Sequence, residues 1–258
     1  MPNKSLPSIP TEYLALPWDQ TGLVVVAAGS GARFGGFKQL AAVEGKPLLL
    51  HALSRLMAIP FARRVVVLPD QFFDDHIWEP LQRRYPEAGA YTGVHGGDQR
   101  AQSVLAGIRA LGPECRYVAV HDGARPFPPL VATARCLEWL EDHRDMGAAI
   151  VSSRVTDTIK RMESSTPLDG PIERTENRDR LRRAETPQLA RRNLLEAALA
   201  NPAGAAARDE AEAMERAGHG TASLLHDGLN LKVTVPFDLI LAGAWLRHEQ
   251  FPLKEATR

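Results

Sequence analysis

The chain has 258 residues, of which 44% are apolar and 24% are charged, a composition typical of folded globular proteins. Lys plus Arg and Asp plus Glu both total 31, so the formal net charge is zero. A nucleic-acid-binding protein normally carries a basic excess or a dense basic stripe. The composition therefore argues against a nucleic-acid partner, and any anionic ligand must be bound by a local site.

The cysteines and the N-terminal segment indicate the compartment. Cys115 and Cys136 have neither disulfide-type nor metal-type spacing, which is typical of structural thiols in a reducing environment. Residues 1–20 lack the apolar run of a signal peptide and the length of a membrane span. The sequence predicts a cytoplasmic protein with no membrane partner, preceded by a loose leader over residues 1–20 whose order it leaves open.

From Gly22 onward, short β-branched runs alternate with helical patterns. The predicted elements in chain order are strand Leu23–Ala28, helix Pro47–Ala58, strand Arg64–Leu68, helix Gln71–Arg84, helix Gln99–Leu111, strand Tyr117–His121, helix Pro129–Asp142, strand Gly147–Ser152, helices Arg191–Ala200 and Ala207–Ala217, strand Leu231–Val235, and a last helix from Pro236. This alternation predicts an α/β fold with a doubly wound, mostly parallel sheet and helices on both faces. Ligands of such sheets bind at the carboxyl ends of the strands.

One segment interrupts the alternation. The stretch from about 154 to 180 is polar and rich in turn residues, so it is interpreted as an inserted two-stranded β-arm. No linker divides the rest of the chain. The sequence therefore predicts a single domain over residues 21–250 that carries this arm.

A glycine-rich loop follows the first predicted strand. It runs from Ala27 to Arg33 and is followed by Gly35, Gly36 and Lys38. Small residues allow the backbone to approach phosphates closely, and successive N–H groups form an anion-binding concavity. The dinucleotide fingerprint fails because position 34 is Phe, and the P-loop pattern fails because Gln39 follows the lysine. The loop favours a triphosphate cradle, although a tight turn with two surface cations remains the ordinary alternative.

Four later stretches contain further candidates for chemistry. They are Gly96–Val104, His121–Pro126, the pair of motifs Asp157–Lys160 and Glu185–Gln188 with Arg178 between them, and Leu231–Pro236. Each has a plain structural reading when taken alone: an Asp after a strand can be a cap, and a single lysine is usually a surface residue. The order and content of the four stretches together indicate a function more specifically than any one of them does alone.

The ordered set resembles the 2-C-methyl-D-erythritol 4-phosphate cytidylyltransferase family of the non-mevalonate isoprenoid pathway. The family pattern is A-A-G-x-G-x-R with a nearby K-Q, then G-G-x-x-R-x-x-S-V, H-D-x-A-R-P, D-T-[IM]-K, T-P-Q and N-x-K-[IV]-T. Every motif occurs here in that order between Ala27 and Thr234. The resemblance implies a nucleotidyltransferase-type sheet, CTP as co-substrate, magnesium or another divalent cation, and a homodimer with interlocking arms.

The resemblance also assigns roles to residues of this sequence. Those implied to line the CTP site are Ala27, Ala28, Gly29, Gly31, Gly97, Asp98, Ser103 and Asp122, with Arg33 and Lys38 on the phosphates. Those implied around the substrate are Asp122, Arg125, Thr158, Arg178, Thr186 and Lys232. Among all of these, Arg33, Lys38, Arg178 and Lys232 are the implied catalytic residues. Mg²⁺ is expected to be held mainly by the CTP phosphates, with Asp122 as the candidate protein ligand.

Three departures from the family pattern stand out. Phe37 replaces the usual proline before the loop lysine, Gly123 stands where alanine is common, and Arg208-Asp209-Glu210 replaces T-D-[DE]. Three other functions compete with the implied one: a cytidylyltransferase for another polyol phosphate such as ribitol 5-phosphate, a sugar-nucleotide pyrophosphorylase, and a non-catalytic nucleotide-binding module. The last would be expected to lack Arg33, Lys38 or Asp122, and all three are present.

Overall fold

The computed structural model describes residues 8–29 and 34–250. The strands of this part are β1 (Thr21–Val26), β2 (Ala42–Val43), β3 (Lys46–Pro47), β4 (Arg63–Leu68), β5 (Thr92–His95), β6 (Tyr117–Asp122), β7 (Met146–Arg154), β8 (Lys160–Met162), β9 (Ile172–Thr175), β10 (Arg182–Arg191) and β11 (Gly220–Leu225). The α-helices are α1 (Leu48–Leu56), α2 (Gln71–Asp74), α3 (Trp78–Arg84), α4 (Pro86–Gly89), α5 (Arg100–Arg109), α6 (Leu130–Asp142), α7 (Arg192–Ala200), α8 (Pro202–Ala205), α9 (Glu210–Arg216) and α10 (Phe237–Gln250).

The main sheet of the described part has seven strands in the order β11-β7-β10-β6-β1-β4-β5. Neighbouring strands run parallel except at β10, which is antiparallel to both β6 and β7. The chain passes from β1 outward to β4 and β5, then returns to place β6 on the other side of β1. The mostly parallel, doubly wound sheet expected from the sequence is thereby confirmed, and its switch in strand order lies between β1 and β6.

Helices cover both faces of the sheet because successive side chains of each strand point to opposite sides. On β1, Leu23 and Val25 contribute to a core with α1 and α6, whereas Val24 belongs to a second core with α5, α7 and α9. A smaller third cluster joins the C-terminal helix α10 to Phe127 and Val233. Consecutive apolar residues are needed in a strand that is buried on both faces, which is why β1 reads as a continuous apolar run.

The N-terminal segment differs from its prediction. The sequence predicted a loose leader, whereas residues 8–20 pack against the domain and form two short 3₁₀ helices, Thr11–Ala15 and Trp18–Gln20. The Trp18 side chain is 2% exposed and packs edge-on against Phe61 at a centroid distance of 5.3 Å. Ile9 is buried as well, and Tyr13 and Leu16 pack against the same core, so several apolar side chains anchor the segment.

Other elements also differ from the predictions. The expected helix Gln71–Arg84 is two helices, α2 and α3, because the chain turns at His76 with φ of 53°. The expected strand Leu231–Val235 is irregular: it crosses the end of the sheet and makes a backbone hydrogen bond from Val233 N to Ala124 O at 2.9 Å. Strands β10 and β11 were not predicted.

The segment over 154–180 contains β8 and β9, which pair with each other as a separate antiparallel sheet. In the described ranges 8–29 and 34–250, no helix combines the length and apolar character that a bilayer crossing requires. Cys115 and Cys136 are both buried and free.

Candidate active site

A cavity of about 530 Å³ opens at the carboxyl ends of the central strands, where the strand order reverses. Its walls come from the segments that follow β1, β4, β5 and β6, with one side chain from the C-terminal segment. The predicted residues that line it are Ala27, Ala28, Gly29, Lys38, Gly97, Asp98, Ser103, Asp122 and Lys232. These lining segments are distant in sequence, so their convergence on one cavity is a result of topology.

The buried side-chain amide of Gln39 fixes the first part of the glycine-rich loop. The Gln39 side chain is 2% exposed, and its Nε2 donates hydrogen bonds to Ala27 O and to Gly29 O, the latter at 2.8 Å. These bonds attach the carbonyls of Ala27 and Gly29 to the Gln39 side chain and so fix the start of the loop. Gly31 and Arg33 lie outside the described residues, so their roles stay predictions.

The replacement of proline by Phe37 has a structural consequence next to Lys38. The Phe37 ring packs edge-on against Phe72, with centroids 5.4 Å apart. Packing thus anchors this part of the loop, where a proline ring would have restricted the backbone. The Nζ of Lys38 donates to Val233 O at 3.3 Å, which ties the loop to the C-terminal segment.

The second wall is the turn that precedes α5. The Ser103 hydroxyl accepts from Gly97 N at 3.1 Å and lies 3.3 Å from Gly97 O as a donor. A Cβ atom at Gly96 would lie 2.3 Å from the Ala28 Cβ, so only glycine fits there. Ser103 is buried and shapes the turn, while Asp98 is exposed and faces the cavity.

A cluster of charges surrounds the Asp122 carboxylate at the end of β6. Lys232 Nζ lies 2.9 Å from Oδ2, Arg125 Nε lies 3.4 Å from Oδ2, and Arg100 Nη2 lies 3.2 Å from Oδ1. Burial alone would raise the pKa of Asp122, but the positive charges of Arg100, Lys232 and Arg125 outweigh burial and hold the pKa well below its usual range. Asp122 is therefore ionised throughout the physiological pH range.

A chain of hydrogen bonds fixes Asp122 from the protein side. Asp122 N donates to Thr186 Oγ1 at 3.0 Å, and Thr186 Oγ1 lies 3.1 Å from His121 Nδ1. His121 Nε2 lies 2.9 Å from Arg125 O, which can only accept, so Nε2 carries the proton and Nδ1 accepts from the threonine hydroxyl. Burial lowers the pKa of His121 to about 4, so the ring is neutral at pH 7.

This arrangement changes the interpretation of Thr186. The resemblance implied that Thr186 surrounds the substrate phosphate, but its side chain is 3% exposed and its hydroxyl is engaged on both sides within the protein. Its carbonyl also accepts from Asn230 Nδ2 at 2.8 Å. Thr186 lies behind Asp122 and supports it from there.

Thr158 and Arg178 lie apart from the cavity. Both are exposed and belong to the arm, and Arg178 Nη1 donates to Thr156 O at 2.6 Å. Neither residue lines the cavity of its own chain. The structure therefore brings Lys38, Lys232, Asp122 and Arg125 together and leaves the two arm residues elsewhere.

Some residues of the site were not among the predicted ones. Arg100 links Asp122 to the buried carboxylate of Glu210, and Gln39 and Asn230 hold the loop and the Thr186 segment. Arg100 is the arginine of the G-G-x-x-R motif and Gln39 belongs to the K-Q motif, so both were visible as motif positions without an assigned task. Glu210 is the last residue of the stretch that corresponds to T-D-[DE], so it too was visible as a motif position, but nothing in that stretch signals a contact with α5.

Comparison with known proteins places these features in a family. The model of the family described as 2-C-methyl-D-erythritol 4-phosphate cytidylyltransferase matches residues 22–248. A protein of that name from Chromobacterium violaceum is 38% identical over 229 residues, covering 86% of this chain and 96% of its own. One from Stenotrophomonas maltophilia is 42% identical over 226 residues, covering 84% of this chain and 92% of its own.

Solved structures agree with these sequence matches. The crystal structure of 2-C-methyl-D-erythritol 4-phosphate cytidylyltransferase from Thermus thermophilus is similar with a TM-score of 0.67 and 28% identity, covering 87% of this chain and 98% of that one. A crystal structure of 4-diphosphocytidyl-2C-methyl-D-erythritol synthase gives a TM-score of 0.70 at 29% identity, covering 88% and 99%. Both the match over residues 22–248 and the site geometry lead to one conclusion: this chain belongs to the 2-C-methyl-D-erythritol 4-phosphate cytidylyltransferase family.

Proposed function

We propose that this protein transfers CMP from CTP to 2-C-methyl-D-erythritol 4-phosphate, giving 4-diphosphocytidyl-2-C-methyl-D-erythritol and pyrophosphate. The observation that carries the proposal is that the glycine-rich loop, Lys38 and the Lys232–Asp122 pair all line one cavity. A triphosphate and a second phosphate can then meet in that cavity. Relatives with this activity match most of the chain.

The reaction joins two anions. An oxygen of the substrate phosphate forms a bond to the α-phosphorus of CTP, and the bond from that phosphorus to the oxygen bridging to the β-phosphate breaks, with pyrophosphate leaving in line. The nucleophile is already ionised, so no general base is required. Catalysis of such a step consists of positioning and electrostatic stabilisation. The neutral, buried His121 fits this view because it faces Thr186 and Arg125 O.

The cations divide between the two phosphates in this proposal. Lys38 and Arg33 stabilise the charge that grows on the triphosphate, and Lys232 and Arg178 position the substrate phosphate. Arginine suits bidentate phosphate contacts, whereas lysine acts as a movable point charge. Lys232 is 44% exposed at its side chain, so it can turn from Asp122 toward an incoming phosphate.

The residues present fit a magnesium ion that enters with the nucleotide. Among residues 8–29 and 34–250, no group of three His, Cys, Asp or Glu side chains could form a protein cage. Mg²⁺ commonly takes one or two carboxylates and completes its shell with substrate phosphates and water. We assign the Asp122 carboxylate as the protein ligand of this Mg²⁺ ion. When bound, the ion would neutralise charge on the triphosphate.

The active form in this proposal is a homodimer. The arm carries exposed apolar side chains, with Leu168 91% and Ile172 55% exposed, and a contact with a partner chain would bury them. Arg178 does not line the cavity of its own chain, and in this proposal it serves the cavity of the partner. A swapped arm would make dimer formation a condition of activity.

Pyrophosphate release tests the proposal. The purified protein is incubated with Mg²⁺, one nucleotide and one acceptor, where the acceptors are 2-C-methyl-D-erythritol 4-phosphate, ribitol 5-phosphate and a hexose 1-phosphate. We expect release with CTP and the first acceptor, and loss of release when EDTA is added. Comparable kcat/KM with ribitol 5-phosphate would favour the other polyol specificity, and comparable efficiency with ATP or GTP would refute the cytidine assignment.

A further inference from the structure

Glu210 carries a buried carboxylate next to the site, and the proposed reaction assigns it no role. The Glu210 side chain is 1% exposed and lies at the first residue of α9. Both of its oxygens accept from Arg100, Nη1 to Oε1 at 2.6 Å and Nη2 to Oε2 at 3.1 Å. The same Nη2 reaches Asp122 Oδ1 at 3.2 Å. Arg100 therefore forms a bridge from Glu210 to Asp122.

Glu210 itself is fixed to the central sheet. The carboxylate of Asp209 caps α9 by accepting from Glu212 N at 2.9 Å. Gln188 on β10 donates to Asp209 Oδ2 at 3.1 Å and accepts from Ala211 N at 3.0 Å. One side chain of the sheet thus holds the residues on both sides of Glu210. This leaves little freedom for the Glu210 carboxylate, and therefore little for the guanidinium that it binds.

The charges of Glu210, Arg100 and Asp122 indicate how Arg100 affects the Asp122 carboxylate. Burial would lower the pKa of Arg100, but Glu210 and Asp122 outweigh burial and raise the pKa, so the guanidinium is permanently charged. Its fork is occupied by two carboxylates, and it is only 28% exposed. Arg100 is therefore poorly placed to bind a phosphate. Its contact with Oδ1 of Asp122 instead leaves Oδ2 directed at Lys232 and Arg125.

We propose that Glu210 is a positioning residue that acts through Arg100 to orient the Asp122 carboxylate toward Lys232. The inference rests on the proposed cytidylyl transfer and adds a residue to it. When Glu210 is neutral, Arg100 is left with Asp122 as its carboxylate partner and draws Asp122 away from Lys232. The three cations and two carboxylates carry a net charge of +1, and loss of the Glu210 charge raises it to +2. Because the site stays positive when Glu210 is neutral, CTP affinity is kept. Because Asp122 is drawn away from Lys232, the chemical step is slowed.

The test compares Glu210→Gln with Glu212→Gln in the full-length enzyme. Glu212 lies on the same helix, where it pairs with Arg208 and Arg216 at the surface. We expect Glu210→Gln to lower kcat by about 10- to 100-fold, the range for residues that orient a ligand. Its Kd for CTP by calorimetry should be equal to or tighter than that of the wild type. Glu212→Gln should retain wild-type kcat.

A double-mutant cycle separates positioning from loss of structure. The loss in Arg100→Gln/Glu210→Gln should be close to that of Arg100→Gln alone, because both changes remove one bridge. Additive losses, or a Kd for CTP that weakens in parallel with Tm, would overturn the proposal. Glu210→Asp retains the buried charge but is shorter by one methylene group, so it should fold like the wild type and recover only part of kcat.

Crystal structures give a readout that does not depend on activity. In Glu210→Gln, the Lys232 Nζ to Asp122 Oδ2 distance should lengthen from the wild-type 2.9 Å to beyond hydrogen-bonding range. Unchanged geometry at Asp122 would overturn the positioning role. A wild-type protein that releases no pyrophosphate would refute the proposed function, and the distance would still decide whether Glu210 positions Asp122.

Discussion

In the proposed reaction, the Asp122 carboxylate and the substrate phosphate compete for the ammonium group of Lys232. Lys232 Nζ lies 2.9 Å from Asp122 Oδ2, and the Asp122 carboxylate retains Arg100 and Arg125 when the lysine leaves. The cost of moving Lys232 is thus limited, because the two arginines that remain keep the buried carboxylate from becoming an uncompensated charge. The pair can therefore open when phosphate arrives.

Lys232→Ala tests this division at the level of one residue. We expect Kd for CTP·Mg²⁺ by calorimetry to stay near the wild-type value, and kcat/KM for the polyol phosphate to fall by about 10- to 150-fold, the equivalent of about 1.5–3 kcal/mol for one charge-assisted contact. Lys46→Ala, which removes a lysine paired with Glu87 outside the cavity, is the control. A parallel loss of CTP affinity would place Lys232 on the nucleotide.

Lys38→Ala should affect the other half of the reaction. Lys38 lines the cavity beside the glycine-rich loop. Removal of one preorganised contact to a developing charge typically lowers kcat by about 10²- to 10³-fold. We expect a loss of that size in pyrophosphate release, with Tm changed little because the loop stays anchored by Gln39 and Phe37. Near-wild-type kcat would exclude Lys38 from the chemistry.

At the scale of elements, the sequence predicted what local periodicity determines. Helices α1, α5 and α6 were found within a few residues of their observed limits, since each has an apolar face that packs on the sheet. Strand β10 was missed because Thr186-Pro187 interrupts it and its polar residues face partners far away in sequence. The segment 231–235 has the residues of a strand, but its backbone bonds to Ala124 in the loop after β6 and forms no ladder with a strand.

The bulged part of β10 carries a second buried acid with a measurable consequence. Burial raises the pKa of Glu185, but hydrogen bonds from His226 and Ser153 outweigh burial and hold the pKa at about 2, below its ordinary 4.5. A depressed pKa stabilises the fold above pH 4.5, and that stabilisation is lost as pH falls toward 2.

Urea unfolding of wild type and Glu185→Gln between pH 2 and 7 checks this. We expect the difference in the free energy of unfolding to be largest above about pH 4.5 and to shrink steadily toward pH 2. Glu79→Gln, a change at an exposed carboxylate on α3, should show a small difference throughout. A Glu185→Gln difference that is constant with pH would contradict the assigned cause.

At the scale of the whole molecule, the site consists of residues from Ala27 to Lys232 that only the topology brings together. The order of the motifs identified most of these residues, because the family motifs lie on the segments that the fold brings to the cavity. It could not indicate that Thr186 faces inward or that Glu210 reaches Arg100, since both depend on side-chain directions across elements. It also left open which cavity Arg178 serves.

Mixing two impaired variants tests whether Arg178 acts across the proposed dimer. We expect Arg178→Ala and Lys232→Ala each to lose most of their activity as separate homodimers. In a heterodimer whose arms act on the partner's cavity, one site receives Arg178 from the Lys232→Ala chain and Lys232 from the Arg178→Ala chain, and the other site lacks both. Random exchange of C₂ dimers makes about half of them heterodimers, so specific activity should return to about a quarter of the wild-type value.

The control for this mixture is Lys38→Ala with Lys232→Ala. Both residues line the cavity of their own chain. Each cavity of a mixed dimer therefore still lacks one of the two lysines. Activity should stay at the level of the single variants. If Arg178→Ala mixed with Lys232→Ala also stays at that level while subunit exchange is verified by mass spectrometry, the arm serves its own chain, and the proposed exchange of arms is wrong.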